Sequence, residues 1–268
     1  MAFWSFFFLF WGSGRRGVMR NMSAIRPGSS SFVNFFRALR VFWNFAWSIT
    51  DNIRFKELRT LPDWEFAGME HFQRLTAEPG GAIILTAHMG SYDLAAQVFT
   101  EMTSRRVYMV RAPETDPQTQ EFEKHQMERT GREDVTVEFN TKTSDLALDL
   151  LAAIQRGELV AIQGDRVTPG IAAFPAHLFG KSTEIPSGPF ALAMAARVPI
   201  YPLFVMRAGR RRYRLHTCPP IVVQRTTARR DDDLREAISS WARQLETIID
   251  AGWYQWFTFE TFSPELAG

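Results

Sequence analysis

The segment from Thr86 to Asp93 contains the pattern in this chain best suited to catalysis. His88 follows the apolar run Ala82–Leu85, which is typical of a buried strand, and Gly90 permits the chain to turn. We expect Asp93 in the first turn of the next helix, where its carboxylate can accept a hydrogen bond from one imidazole nitrogen. That bond would fix the tautomer of His88 and leave the other nitrogen free to accept a proton. The pair would then activate a substrate hydroxyl without an enzyme nucleophile, whereas a structural histidine is the alternative.

A second group of charged residues also follows predicted strands. Asp165 and Arg166 come directly after the strand-like run Leu159–Gln163, and Arg111 follows another. Because ligands of open α/β sheets bind at the carboxyl ends of the strands, we expect these side chains near His88. An arginine there can bind a phosphate or stabilise an oxyanion. A purely structural ion pair of Asp165 with Arg111 or Arg166 is the alternative.

A helical pattern begins after Pro186, so Ser187 and Gly188 are predicted at a helix N-terminus. Backbone N–H groups at such an end can bind phosphate, and Lys181 would add a positive charge. A plain capped helix is equally compatible with these residues.

A run of arginines follows the predicted strand that ends at Met206 and marks a basic turn within a predicted edge hairpin, residues 207–223. Such a cluster suits an acidic acyl carrier protein, the phosphates of coenzyme A or anionic lipid. A solvated turn is the alternative. The arginines are Arg207, Arg210, Arg211, Arg212 and Arg214.

The elements that must position these residues alternate along the chain from about residue 80. Predicted strands are Ala82–Ala87, Arg106–Val110, Val135–Phe139, Leu159–Gln163 and Ile200–Met206. Predicted helices cover residues 91–103, 117–130, 144–156, 187–197 and 231–250. This alternation predicts an α/β layered fold with a mostly parallel central sheet flanked by helices.

The first fifty residues differ in composition from the rest, so we divide the chain into a membrane-associated region, 1–50, and an α/β domain, 51–268. The region holds six arginines, no acidic residue and 14 of the 36 aromatic residues. Arginine and bulky aromatics suit the boundary between anionic headgroups and acyl chains. Residues 1–11 are too few to span a bilayer, which needs about 20 apolar residues. Aromatics at helical spacing over Phe32–Ile49 predict a helix that either contacts the membrane or packs in the core.

Several other functions are disfavoured by the sequence. Gly12, Gly14 and Gly17 match a dinucleotide-binding spacing, but no acidic residue follows before Asp51. The sequence has no G-x-S-x-G nucleophile elbow, no metal-ligand cluster and no nucleic-acid-binding motif. Cys218 is the single cysteine, which excludes an internal disulfide.

Taken in order, the motifs resemble those of the bacterial lipid A biosynthesis (lauroyl/myristoyl-type) acyltransferases, a family with a His-x4-Asp/Glu motif. The resemblance covers about residues 20–260. Besides His88 and Asp93, it rests on Gly164–Arg166, Leu178–Lys181, Ile185–Pro189, Val198–Pro202 and the aromatic segment Trp253–Phe257.

The resemblance implies transfer of a fatty acyl chain from an acyl carrier protein or coenzyme A thioester to a glycolipid or lipid A-type hydroxyl, with no other cofactor. It implies a peripheral or monotopic protein on the cytoplasmic face of the inner membrane. Many close relatives carry Glu at the position of Asp93, so a lysophospholipid, an aminolipid and a mannosylated phosphoinositide stay open as acceptors. A non-catalytic lipid-binding protein is the alternative of another class. The implied site comprises His88 and Asp93 as catalytic residues, with Arg111, Asp165, Arg166, Lys181, Ser187 and Gly188 binding substrate.

Overall fold

The computed structural model describes residues 8, 10–58, 62–92, 94, 102–111, 135–139, 145–168 and 170–267. Its longer helices are α1 (Gly12–Ile25), α2 (Ser31–Leu58), α3 (Met69–Ala77), α4 (Asp145–Gln155), α5 (Gly188–Ala196) and α6 (Arg230–Gly252). Its strands are β1 (Asp63–Ala67), β2 (Ala82–Thr86), β3 (Val107–Arg111), β4 (Val135–Phe139), β5 (Leu159–Gln163), β6 (Ala173–Leu178), β7 (Lys181–Pro186), β8 (Ile200–Gly209) and β9 (Arg212–Thr217). Two 3-10 turns follow α6, at Trp253–Gln255 and Pro264–Leu266.

The described strands form a seven-stranded sheet in the order β1-β9-β8-β2-β5-β3-β4, and β6 and β7 form a separate hairpin. All neighbours in the large sheet run parallel except β8 and β9. The predicted α/β fold with a mostly parallel central sheet is therefore confirmed. Parallel strands need crossover connections, which explains the alternation of strand and helix patterns in the sequence.

The bounds of the five predicted strands agree with the structure to within one residue, except at the end of β8. The strands β4 and β5 have the predicted bounds, whereas β8 extends to Gly209, three residues beyond the predicted end. The predicted edge position of the β8–β9 hairpin is wrong, because β1 pairs with the outer side of β9. The strand β1 was not predicted, since its five residues carry no continuous apolar run. The predicted helix 117–130 and most of the predicted helix 91–103 lie outside the described residues.

The two faces of the sheet pack against different layers, as the strand β2 shows. Ile83 and Leu85 belong to a large core shared with α1, α2, α5 and α6. Ala82 and Ile84 belong to a second core on the other face, shared with α3. Successive side chains on a strand point to opposite faces, so a strand that is apolar at every position is buried on both.

The helix α2 is longer than the predicted Phe32–Ile49, and it packs one face in the core, as one of the two predicted alternatives has it. Val41 and Phe42 lie in the large core, whereas Phe32, Phe36 and Trp43 are exposed. The helix also crosses the predicted boundary at residue 50, so the division into regions 1–50 and 51–268 stays a prediction. Within the described part of the chain, no helix is both long enough and apolar enough to span a bilayer.

The helix α1 was not predicted, because glycine disfavours helix interiors. Tertiary contacts stabilise it here. The backbone carbonyl of Phe259 approaches Gly17 so closely that a Cβ atom there would lie 2.0 Å from its oxygen. The side chain of Asn21 donates hydrogen bonds to the carbonyls of Thr258 and Glu260. These contacts join α1 to the C-terminal segment.

Gly90 is required where the chain turns after His88. Its φ is +59°, and a Cβ atom there would lie 1.8 Å from the carbonyl oxygen of Val205. We expect Gly90→Ala to lower the free energy of unfolding by about 2–5 kcal/mol, from left-handed backbone strain plus the steric clash. Gly28→Ala is the matched control, because Gly28 has a φ of +79° but a Cβ atom there would have no described neighbour within 4 Å. In urea unfolding, Gly28→Ala should lower the free energy of unfolding by only about 1–2 kcal/mol. Equal losses would contradict the steric argument.

Candidate active site

The register of two neighbouring parallel strands brings His88 and Asp165 together. Thr86 on β2 lies opposite Gln163 on β5, so the residues two positions beyond each strand end are neighbours. The backbone N–H of Gly164 donates a hydrogen bond to the carbonyl of Thr86 at 2.8 Å, which continues the pairing past the strands. The site therefore forms at the carboxyl edge of the sheet, as expected for open α/β folds.

Asp165 accepts three hydrogen bonds in a buried position. Its Oδ1 lies 2.7 Å from Nδ1 of His88, and its Oδ2 accepts from the backbone N–H of His88 at 3.1 Å. The indole Nε1 of Trp256 donates to the same Oδ2 at 3.0 Å. The side chain of Asp165 is 0% exposed, whereas that of His88 is 26% exposed. The carboxylate thus supports the imidazole from behind.

The protonation of Asp165 follows from its partners. Burial alone would raise the pKa of this carboxyl, but the charge and hydrogen bond of His88, the charge of Arg166 and the hydrogen bond of Trp256 outweigh it and lower the pKa to about 2. At neutral pH Asp165 is therefore ionised and can only accept hydrogen bonds. Nδ1 of His88 must then carry the proton, which leaves Nε2 as the basic nitrogen. No described residue hydrogen-bonds to Nε2.

A cavity of about 630 Å³ adjoins His88. This volume is within the usual range for small-molecule sites, about 300–1,000 Å³. Its walls are mainly apolar and come from β3, β5, β6, α4, α5 and α6. One such residue from each element is Val110, Ile162, Phe174, Leu150, Leu192 and Leu234. A basic nitrogen therefore lies beside an apolar cavity, an arrangement suited to a reaction on a substrate with a long hydrocarbon part.

Residues 29–261 match the family model for bacterial lipid A biosynthesis acyltransferases. The chain belongs to this family. The match covers most of the chain and confirms the resemblance inferred from the motifs. No curated protein matched the chain in a separate comparison.

As a member of this family, the protein transfers acyl groups to a lipid-like acceptor. The members of this family are associated with membranes.

Three of the residues predicted to bind substrate line the cavity of this acyltransferase: Arg166, Ser187 and Gly188. Arg166 also donates a hydrogen bond to the carbonyl of Phe257 at 2.7 Å, which holds its guanidinium close to the site. Lys181 is not among the lining residues and instead pairs with Glu265 at 3.1 Å.

Two predicted site residues cannot be placed. Asp93 and the side chain of Arg111 lie outside the described residues, so their roles stay predictions. Asp165 was predicted to bind substrate; its fully buried carboxylate contacts His88, which favours a positioning role.

Sequence reasoning missed some residues of the candidate site. Trp256 was noted only as part of an aromatic segment, and its hydrogen bond to Asp165 spans 91 positions. Ser48 of α2 was not singled out either. Its hydroxyl donates to the carbonyl of Gly90 at 2.8 Å and lies 2.9 Å from the hydroxyl of Ser91, so α2 supports the turn after His88. No local sequence signal identifies such distant partners.

The lowered pKa of Asp165 predicts a specific loss of stability in acid. Between its usual value of 3.8 and about 2, the unfolded chain binds more protons at this carboxyl than the folded protein does. The ionised Asp165 therefore contributes about 2 kcal/mol to the free energy of unfolding. This contribution is complete above pH 3.8 and is lost as the pH falls through about 2. We expect the difference in unfolding free energy between wild type and Asp165→Asn to shrink by this amount over that interval in urea titrations. A difference independent of pH would contradict the assignment.

Proposed function

We propose that the protein transfers a fatty acyl chain from an acyl carrier protein or coenzyme A thioester to a hydroxyl of a glycolipid or lipid A-type acceptor, with His88 as general base. The observation that carries this proposal is the buried Asp165 carboxylate on Nδ1 of His88, beside an apolar cavity. The family supplies the reaction class, and the geometry supports a route for the proton.

In the proposed reaction, Nε2 of His88 removes the proton from the acceptor hydroxyl as its oxygen attacks the thioester carbonyl carbon. The tetrahedral intermediate then collapses, the C–S bond breaks, and the imidazolium returns the proton to the departing thiolate. Asp165 stays ionised throughout and stabilises the imidazolium. Burial raises the pKa of the Cys218 thiol to about 11, which disfavours this residue as a nucleophile.

In this mechanism Asp165 orients the imidazole of His88, a role that the sequence spacing predicts for Asp93. Asp93 keeps its predicted role as a catalytic carboxylate of the His-x4-Asp motif. Asp165 already contacts Nδ1 of His88. Asp93 would therefore act on the same imidazole in another way or on the acceptor.

The apolar cavity is the proposed site of the acyl chain, because burying each methylene group contributes about 0.8 kcal/mol. Arg166 is proposed to bind the acceptor headgroup or to stabilise the oxyanion. Ser187 and Gly188 line the same cavity at the N-terminus of α5, which suits an anionic group. For Lys181, the ion pair with Glu265 argues for a structural role instead.

The basic turn offers fewer unpaired charges to a donor than its sequence indicates. Arg212 and Arg214 both pair with Glu65, and Arg207 pairs with the buried Asp51. Arg210 and Arg211 have no ion pair with any described residue. We propose these two as the contacts for an acidic carrier protein or for the phosphates of coenzyme A.

For membrane attachment, we propose the exposed face of α2 as the contact surface at the cytoplasmic side of the inner membrane. Phe32, Phe36 and Trp43 are 73%, 52% and 43% exposed, and their spacing of four and seven residues puts them on one face. The absence of acidic residues from residues 1–50 favours anionic headgroups as the partner.

The enzymatic proposal is tested by incubating purified protein with lipid extract and a pool of acyl thioesters, followed by mass spectrometry. Wild type should form a new acylated lipid, and His88→Ala should reduce its rate by about 10²- to 10⁴-fold, the usual contribution of a general base. His177→Ala is the matched control, because His177 is exposed on β6 and does not line the cavity.

Three results would contradict the proposal. Equal rates in wild type and His88→Ala would exclude His88 as the base. Accumulation of free fatty acid in the presence of acceptor would indicate a thioesterase. Lipid binding by both proteins without any transfer would indicate a non-catalytic lipid-binding protein.

The membrane surface is tested by sedimentation with anionic vesicles. We expect the double variant Phe32→Ser/Phe36→Ser to bind at least about tenfold more weakly, because two apolar side chains no longer insert. Val222→Ser is the matched control, since Val222 is 54% exposed but lies outside α2. An equal effect of both changes would argue against α2 as the contact surface.

A further inference from the structure

The closing segment, Trp253–Phe257, follows α6 and contacts the His88–Asp165 pair directly. The indole of Trp256 donates its only hydrogen bond to Oδ2 of Asp165 at 3.0 Å, and the residue is 2% exposed. Trp256 does not line the cavity, so it touches the carboxylate without reaching the space available to substrate.

The backbone of the closing segment also holds the turn that carries His88. The backbone N–H of Phe257 donates to the carbonyl of His88 at 2.7 Å, and the backbone carbonyl of Gln255 accepts from the N–H of Gly90 at 2.9 Å. These two bonds flank Trp256 in the sequence. The indole therefore reaches Asp165 from a backbone that is itself paired with the turn around His88.

The closing segment is held on its other side by β8 and α2. The side-chain amide of Gln255 accepts from the backbone N–H of Arg207 at 2.8 Å and donates to its carbonyl at 3.0 Å. The guanidinium of Arg40 lies 4.1 Å from the ring centroid of Tyr254. Contacts on both sides leave the segment little freedom to shift relative to the catalytic pair.

We infer that Trp256 is a positioning residue for the reaction, because its N–H fixes the Asp165 carboxylate in the rotation that directs Oδ1 to Nδ1 of His88. This inference rests on the proposed function. A carboxylate can rotate about its Cβ–Cγ bond, and only one plane of the group, with its two equivalent oxygens, places one oxygen on the imidazole and the other on the indole. Without the indole N–H, Oδ2 keeps only the backbone N–H of His88, at 3.1 Å, as a donor, and the preference for this orientation is weakened. A carboxylate held less firmly on Nδ1 restricts the imidazole less strongly to the tautomer with a basic Nε2.

Trp241 provides a matched comparison within the same core. Its indole Nε1 also donates one buried hydrogen bond, at 2.9 Å, but to the carbonyl of Gly164, one residue before Asp165. Trp241 is fully buried and stacks on Phe204. Loss of either indole N–H removes a buried hydrogen bond of similar length, but only Trp256 bonds to the carboxylate.

The experiment compares Trp256→Phe with Trp241→Phe in the full-length protein. For Trp256→Phe we expect kcat to fall about 10- to 100-fold with KM for donor and acceptor unchanged, as is usual for residues that support a catalytic group. Trp241→Phe should lose similar stability in urea unfolding but retain most of kcat. In imidazole ¹⁵N NMR spectra, His88 should show the Nδ1–H tautomer in wild type and in Trp241→Phe, and a mixture of tautomers in Trp256→Phe.

A second substitution tests the same inference if Trp256→Phe does not fold. Benzothienylalanine at position 256 replaces the indole N–H by sulfur at nearly constant shape, and the same change at position 241 is its control. A wild-type kcat and a single tautomer in the position 256 protein would overturn the inference. Equal losses of kcat at both positions would overturn it too, because the effect would then be general packing. If wild type itself transfers no acyl group, the proposed function fails, whereas the tautomer measurement still tests the role of Trp256.

Discussion

The hydrogen bond between Asp165 and His88 sets requirements that the surrounding structure meets. A buried ionised carboxylate is stable only when hydrogen bonds and nearby positive charge replace its water. Two N–H groups of His88, the indole of Trp256 and the charge of Arg166 meet this need. These donors come from three separate parts of the chain. The sheet register, the position of α6 and the path of the closing segment must therefore all be correct for one carboxylate to stay charged.

In the proposed reaction, the same sheet edge must serve two opposite chemical needs. A general base needs a polar partner to keep its tautomer, whereas an acyl chain needs an apolar cavity. The fold separates them, because Asp165 is buried behind His88 while the cavity is lined by apolar side chains of three strands and three helices. The helix α2 adds a further connection, since it presents exposed aromatic residues on one face and hydrogen-bonds to the turn around Gly90 through Ser48.

Elements with strong periodicity were predictable, and those that depend on distant contacts were not. The buried strands β2 and β5 appear as continuous apolar runs, and their bounds were predicted to within a residue. The helix α1 was missed because its glycines disfavour a helix until Phe259 packs closely against Gly17. Similarly, β1 is short and half-buried and is stabilised by pairing with β9, about 150 positions away.

The sequence by itself determined the family and the α/β layering and singled out His88 as a candidate, because these depend on local motifs and on periodicity. It also put Asp165 at the correct edge of the sheet, since this residue follows a recognisable strand. Only the tertiary structure decided that Asp165 contacts His88, 77 positions away, and that Trp256 completes the carboxylate's hydrogen bonds. Local spacing favours Asp93 as the partner because it detects only neighbours along the chain. A contact between side chains at the ends of two strands depends on sheet order and register, which no local pattern encodes.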